Sequence, residues 1–127
     1  PEKLDAVIEP ERIMEAQKVV RDIHISDQVK DYIVDLVFAT REPEEYGLRG
    51  FEDYIEFGAS PRATIYMNLA AKAHAFINGK SFVRPENVKA IAHDVLRHRV
   101  ILTFAAEAEE YTPEAVIDEL LETIEFD

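Results

Sequence analysis

The residues of this sequence best arranged to meet a ligand are Gly58-Ala59-Ser60-Pro61-Arg62-Ala63-Thr64. Ser60 is a good helix N-cap, and Pro61 suits a first helical position because its missing donor would be unpaired there anyway. Gly58 before them can take a backbone sign that other residues avoid. This pattern predicts a helix that starts at Pro61 and carries Arg62 in its first turn. Unpaired amides and the macrodipole make that turn electropositive, so a cation there costs roughly 0.3–1 kcal/mol. An arginine in such a place suits an anion nearby: helix N-termini accept phosphate, and a guanidinium adds paired donors to the same oxygens. The same residues also describe a solvated surface arginine, since the penalty is small.

The elements that must position this turn can be read from periodicity and caps. The central helix runs to about Asn78, with Ile65, Tyr66, Leu69, Ala73, Phe76 and Ile77 as its expected buried face and Asn78-Gly79 as its stop. Upstream, Pro10 opens a short helix whose one face carries Ile13, Ala16, Gln17 and Val20. Ile23-His24-Ile25 favours β structure but is too short to stand without a partner. Ser26 then caps a helix with Val29, Ile33, Leu36, Val37 and Thr40 at helical spacing. Downstream, Pro85 opens a helix carrying Val88, Ile91, Ala92, Val95 and Leu96, and Thr112-Pro113-Glu114 opens a last one carrying Val116, Ile117, Leu120, Leu121 and Ile124. Between them, residues 100–104 are a continuous apolar run that fits either an extended segment or a helix continuation.

Residues 42–57 break the helical period with Pro43, Gly47 and Gly50 while carrying Tyr46, Phe51, Tyr54, Ile55 and Phe57. So apolar a loop folds back on its own domain or forms a contact surface for another domain or subunit, and the first is the preferred reading. Four or five amphipathic helices without a convincing β pattern predict an all-α fold, a small bundle. Residues 1–9 read as the connection from a preceding domain, and 10–127 as the helical domain itself.

Gly58-Ala59-Ser60-Pro61-Arg62-Ala63 resembles the sensor 2 motif of MoxR-type AAA+ ATPases, found in the small helical lid that follows their nucleotide-binding core. Val29 to Val37, Thr40-Arg41, Arg84 to Ala90 and Val95 to Arg99 follow in the order such lids show, so the likeness covers most of residues 10–104. The resemblance implies an AAA+ lid that closes over ATP and Mg²⁺ held by a core. Arg62 would reach the terminal phosphates, with Ser60 and Pro61 setting the helix start. It also implies that this chain is not catalytic alone, binds no cofactor by itself, and works with its own core and neighbouring subunits in a ring. MoxR-like proteins are thought to be chaperone-like, often beside partners with von Willebrand factor A domains. Asn87, where an acidic residue is common, and the longer loop 42–57 depart from the family pattern. The competing reading is a helical protein-interaction module with no nucleotide role.

Composition narrows the classes further. The chain has 127 residues and a net charge of −12. Residues 100–127 hold nine acidic groups and no Lys or Arg, whereas residues 57–99 hold seven basic groups against Glu86 and Asp94. The segment around Arg62 is thus the positive part of an acidic chain, which suits polyphosphate or an acidic neighbour. A duplex nucleic-acid binder would carry a basic stripe and a basic balance, so no nucleic-acid partner is expected. No run is long and apolar enough for membrane insertion, and the absence of cysteine is compatible with the cytoplasm. A first residue that is Pro rather than Met reads as a piece of a longer protein.

Two decoys are set aside. Gly79-Lys80-Ser81 has the letters that end a P-loop, but His74 stands where the first glycine is required and the tripeptide follows a helix end. His24, His74, His93 and His98 show no metal-ligand spacing, so no metal site is expected, and Asp94 and His98 read as an ordinary i, i+4 surface pair. The carboxylates of the tail, residues 105–127, read as a solvated helix face.

Overall fold

Helix starts lie where local chemistry puts them in most cases. In the computed structural model, which describes residues 2–48 and 50–126, Pro10 opens α1 (Pro10–Arg21) and Ser26 caps α2 (Asp27–Arg41), its hydroxyl accepting the Val29 amide at 3.2 Å. Pro85 opens α4 (Pro85–Leu96), and Pro113 opens α6 (Pro113–Thr123) behind a Thr112 hydroxyl that accepts the Ala115 amide at 3.1 Å. Pro1 and Asp127, both part of the sequence reading, lie outside the described residues.

Helix α3 (Ala63–Ile77) stops as Asn78-Gly79 predicts. The Lys80 amide reaches back to the Ala75 carbonyl at 2.9 Å and the Gly79 amide to Phe76 at 3.0 Å, the paired closure made possible by Gly79 at φ +72°. A further short helix, α5 (Phe104–Ala108), is capped by Thr103, so the described residues hold six α-helices where four or five were expected. The fold is all-α apart from one small ribbon.

That ribbon corrects the expectation of no β pattern. Strand β1 (Ile55–Phe57) pairs antiparallel with β2 (Ile101–Leu102), Ile55 opposite Leu102 and Phe57 opposite Ile101. Residues 100–104 are therefore extended at Ile101–Leu102 and helical from Phe104. Strands this short have no stability of their own and exist through the elements that bring them together. The Ile23-His24-Ile25 segment likewise finds its partner in the turn after α3. His24 bridges in parallel to Phe82, donating to the Ser81 carbonyl at 3.2 Å and accepting from the Val83 amide at 2.8 Å.

The core lies between α2, α3, α4 and α6, with the α3–α4 pair packed most extensively. Ile33, Leu36 and Val37 from α2, Val88 and Leu96 from α4, and Ile117 and Leu120 from α6 are fully buried, each contributing about 1.5–3 kcal/mol of transfer free energy. The face of α3 differs from the expected one. Ala63, Met67, Ala71 and Ala75 are buried, whereas Ile65 is 58% exposed and Ile77 79% exposed, with Tyr66 and Leu69 exposed as well. A seam of alanines one turn apart lets α4 approach closely, and the larger side chains are left to the outer side of the helix. Leu69, Ala73, Phe76 and Ile77 line an open apolar groove with Ile13, Val20 and Ile8 on the α1 side. Helix α1 accordingly has no buried residue, although its predicted face does turn toward α3.

The described residues of 42–57 fold back on the domain, as preferred. Two short 3₁₀ turns, Pro43–Tyr46 and Phe51–Asp53, are separated by Gly47 and Gly50 at φ +84° and +94°. Tyr46 and Phe51 pack on the core, and Phe51 and Tyr54 form an aromatic cluster with Tyr111, the two tyrosines stacked with ring centres 4.8 Å apart. Phe57 stays 64% exposed. The acidic tail is not wholly a solvated face. Asp118 meets His93 at 2.8 Å and Glu114 meets Arg97 at 3.1 Å, tying α6 to α4. The expected Asp94–His98 pair does not form, because α4 ends at Leu96; Asp94 lies 3.8 Å from Arg97 instead. No helix among the described residues is long and apolar enough to cross a membrane.

Candidate functional site

The turn that carries Arg62 is anchored to the end of α2. Gly58 lies against the Thr40 backbone so closely that a Cβ there would stand 2.3 Å from the Thr40 carbonyl oxygen. Its φ lies outside the left-handed region, which corrects the expected use of this glycine: it is required for close approach and not for backbone sign. One residue on, the Ala59 amide donates to the Thr40 hydroxyl at 2.9 Å, and that hydroxyl donates to the Val37 carbonyl at 2.6 Å. The Ala59 carbonyl accepts from Arg41 Nη1 at 3.3 Å. Both polar groups of the buried Ala59 are thereby satisfied by the last turn of α2.

From there the chain enters α3 through a tight turn. The Ser60 hydroxyl accepts the Arg62 amide at 3.1 Å, the Ala63 amide reaches the Ser60 carbonyl at 2.9 Å, and the Thr64 amide reaches the Pro61 carbonyl at 3.1 Å. The Arg62 carbonyl accepts from Ile65 at 3.0 Å and from Tyr66 at 3.4 Å, the last being the first bond of α-helical span. The helix therefore begins at Ala63 with Arg62 as its N-cap, two residues later than predicted. Ser60 keeps a capping role, one turn earlier than the regular helix. The amides of residues 62–65 all have acceptors within the chain, so the expected cradle of unpaired amides is not present. Anion binding at this turn falls to the Arg62 side chain and to the dipole behind it.

The Arg62 side chain is exposed, and among the described residues no hydrogen bond or ion pair engages it. Four residues on, the Tyr66 ring carries the guanidinium of Arg99 at 4.8 Å from its centre. Arg99 also closes the end of α4, with Nη1 donating to the Val95 carbonyl at 2.6 Å and lying 2.7 Å from His98 Nε2. Sequence reasoning placed Tyr66 in the core, set Thr40 at the helical spacing of α2 without a bonding role, and counted Arg99 only within the segment Val95 to Arg99. A tyrosine one helical turn beyond Arg62 was the available signal for the first; nothing local marks Thr40 as the acceptor of an amide nineteen residues away.

The other singled-out residues are structural. Asn87 Oδ1 accepts the Arg84 amide at 2.7 Å, closing the first turn of α4, while Nδ2 faces His74 Nδ1 at 2.9 Å. Gly79 ends α3 and the Ser81 carbonyl holds His24, so neither cradles phosphate. Among the described residues no group of His, Asp or Glu is arranged to hold a metal ion. Among the described residues, the turn therefore presents one exposed guanidinium, that of Arg62, without a hydrogen-bond or ion-pair partner.

Comparison with known proteins gives consistent results. A family model described as the AAA lid domain matches residues 51–120. A protein named Chaperone MoxR1 from Mycobacterium tuberculosis is 36% identical over 124 residues, 98% of this chain and 33% of that protein. Protein MoxR from Paracoccus denitrificans is 35% identical over 106 residues, 80% of this chain and 31% of that protein. A solved structure from Cytophaga hutchinsonii, provisionally described as an ATPase, superposes with a TM-score of 0.89 at 41% identity, covering 92% of this chain and 36% of that one. The chain spans about a third of the length of these relatives.

Proposed function

The chain belongs to the AAA lid domain family, and on that footing we propose that it closes over ATP bound by the core of a MoxR-like AAA+ ATPase and supplies Arg62 as the sensor 2 arginine. The observation that supports this is an exposed guanidinium without a partner among the described residues, on a turn clamped by Thr40, Arg41 and Gly58. ATP and Mg²⁺, when bound, provide the transferable phosphoryl group and its counter-ion. Arg62 provides a fixed positive charge near the γ-phosphoryl oxygens, where charge shifts during transfer. Because its turn is moored to α2, the charge arrives by movement of the lid as a body, and loss of the γ-phosphoryl group releases it.

The same reading makes residues 1–9 the connection from the core, and makes the open α3 side chains Ile65, Leu69 and Ile77 contacts for the core or for a neighbouring subunit in a ring. It extends to a cytoplasmic, chaperone-like role with partners that carry von Willebrand factor A domains. The protein-interaction alternative is favoured by that exposed α3 face alone.

Arg62→Ala in the full-length protein with its core separates the two. Hydrolysis should slow by about 100- to 1,000-fold, the order found when one charge-stabilising donor is removed, with helix content and melting unchanged. An ATPase rate equal to that of the parent would remove the sensor role.

A further inference from the structure

We infer that Arg99 is a second phosphate-facing cation of the Arg62 corner, held there by the ring of Tyr66; this rests on the lid reading and extends it. Arg62 and Tyr66 are four residues apart at the start of α3, so they are neighbours on one helix face. Helical side chains lean toward the N-terminus, which carries the Tyr66 ring back over the turn that bears Arg62. Arg99 reaches the same ring from beyond the end of α4, 4.8 Å from its centre. The two arginines flank different helix ends, Arg62 just before α3 and Arg99 just beyond α4, and Tyr66 joins them as the neighbour of one along α3 and the platform of the other.

Charge makes the arrangement informative. The chain carries 26 acidic against 14 basic side chains, so carboxylate partners are in surplus. Arg97, two residues before Arg99, takes two of them, Asp94 and Glu114. Among the described residues, neither Arg62 nor Arg99 has one. A guanidinium stacked on Tyr66 and another four residues before that ring, both without an acidic partner, leave a surplus of positive charge at this corner, which an anion with charge at several oxygens fits.

Capping of α4 does not by itself explain Arg99. Its Nη1 atom satisfies the Val95 carbonyl and contacts His98, which uses two of the five guanidinium hydrogens. Stacking on Tyr66 adds nothing to that cap, but it fixes the plane of the remaining donors and keeps them partly desolvated. One guanidinium for the γ-phosphate and a second for the adjoining phosphate would let this corner tell a triphosphate from a monophosphate.

The test uses the full-length protein with its core and measures binding of fluorescent ATP and AMP analogues, steady-state kinetics and melting for Arg99→Gln, Arg99→Lys, Tyr66→Leu and Arg62→Ala. Arg99→Gln should weaken ATP by about 10-fold, the loss of one charge-assisted contact, while AMP affinity stays at the parent value. Arg99→Lys should keep the melting temperature but lose most of the same affinity, because an ammonium neither stacks nor forks. Tyr66→Leu should shift ATP affinity in the same direction with Arg62 intact. Unchanged ATP affinity in both Arg99 variants, or equal loss for ATP and AMP, overturns the inference. If Arg99→Gln does not fold, Arg99→Lys decides alone. An inert Arg62→Ala beside an active Arg99→Gln would instead remove the lid reading.

Discussion

The Thr40 hydroxyl stands between the Val37 carbonyl and the Ala59 amide, at 2.6 and 2.9 Å, so one buried oxygen both bonds within the last turn of α2 and moors the segment leading to Arg62. Its accepting role has no substitute nearby, because Ala59 is fully buried.

Thr40→Val keeps the shape of the side chain but leaves the Ala59 amide buried without an acceptor, which should cost about 1–3 kcal/mol. Thr40→Ser keeps the hydroxyl and should lose much less. The urea midpoint is the measurement; equal midpoints for Thr40→Val and the parent would mean that the mooring carries no energy.

Gly58→Ala places a methyl group 2.3 Å from the Thr40 carbonyl oxygen, a contact that only backbone displacement can relieve. Destabilisation of about 1–3 kcal/mol is expected, the range for overpacking at rigid sites. Since the displacement would itself break the Thr40–Ala59 bond, Thr40→Val added on top should cost less than it does alone. A double-mutant cycle in urea checks this, and simple additivity would contradict it.

The orientation of α3 predicts opposite outcomes for two apolar residues two positions apart. Met67→Ala should destabilise by about 2–5 kcal/mol, and Ile65→Ser should stay within about 0.5 kcal/mol of the parent, because Met67 is fully buried and Ile65 is 58% exposed. The reverse order would restore the face expected from residue size.

Tyr54 donates its hydroxyl to Glu109, which together with desolvation and the negative charge of Glu109 pushes its pKa up from 10.0 to about 12. The folded state then holds this proton more tightly than the unfolded chain. The contribution to stability is complete below pH 10 and is lost as pH rises through about 12. Tyrosinate absorbance in Glu109→Gln should show Tyr54 ionising at lower pH, with alkaline unfolding beginning earlier; an unshifted titration would contradict the assignment.

How legible each element was depends on how local its cause is. The starts of α2, α4 and α6 follow from Ser26, Pro85 and Thr112-Pro113, whose effects reach only three residues along the chain. The buried face of α3 was misread because ranking residues by size favours Ile65 and Leu69, whereas packing against α4 selects Ala63, Ala71 and Ala75 for their smallness. The ribbon of β1 and β2 joins residues some 45 positions apart, at lengths where intrinsic preference decides nothing. Arg62 was legible as a residue of interest from its neighbours. What holds it was not, since Gly58 acts through contact with Thr40 and not through its own torsion.

The bridge at His24 has a mechanical side. His24 is bonded both to Ser81 and to Val83, so the chain linking α1 to α2 is stitched to the loop between α3 and α4. A displacement of α1 is thus coupled to that loop as well as to α2. The loop lies at the far end of α3 from Arg62, so α3 is a rod with its handle at one tip and its charge at the other.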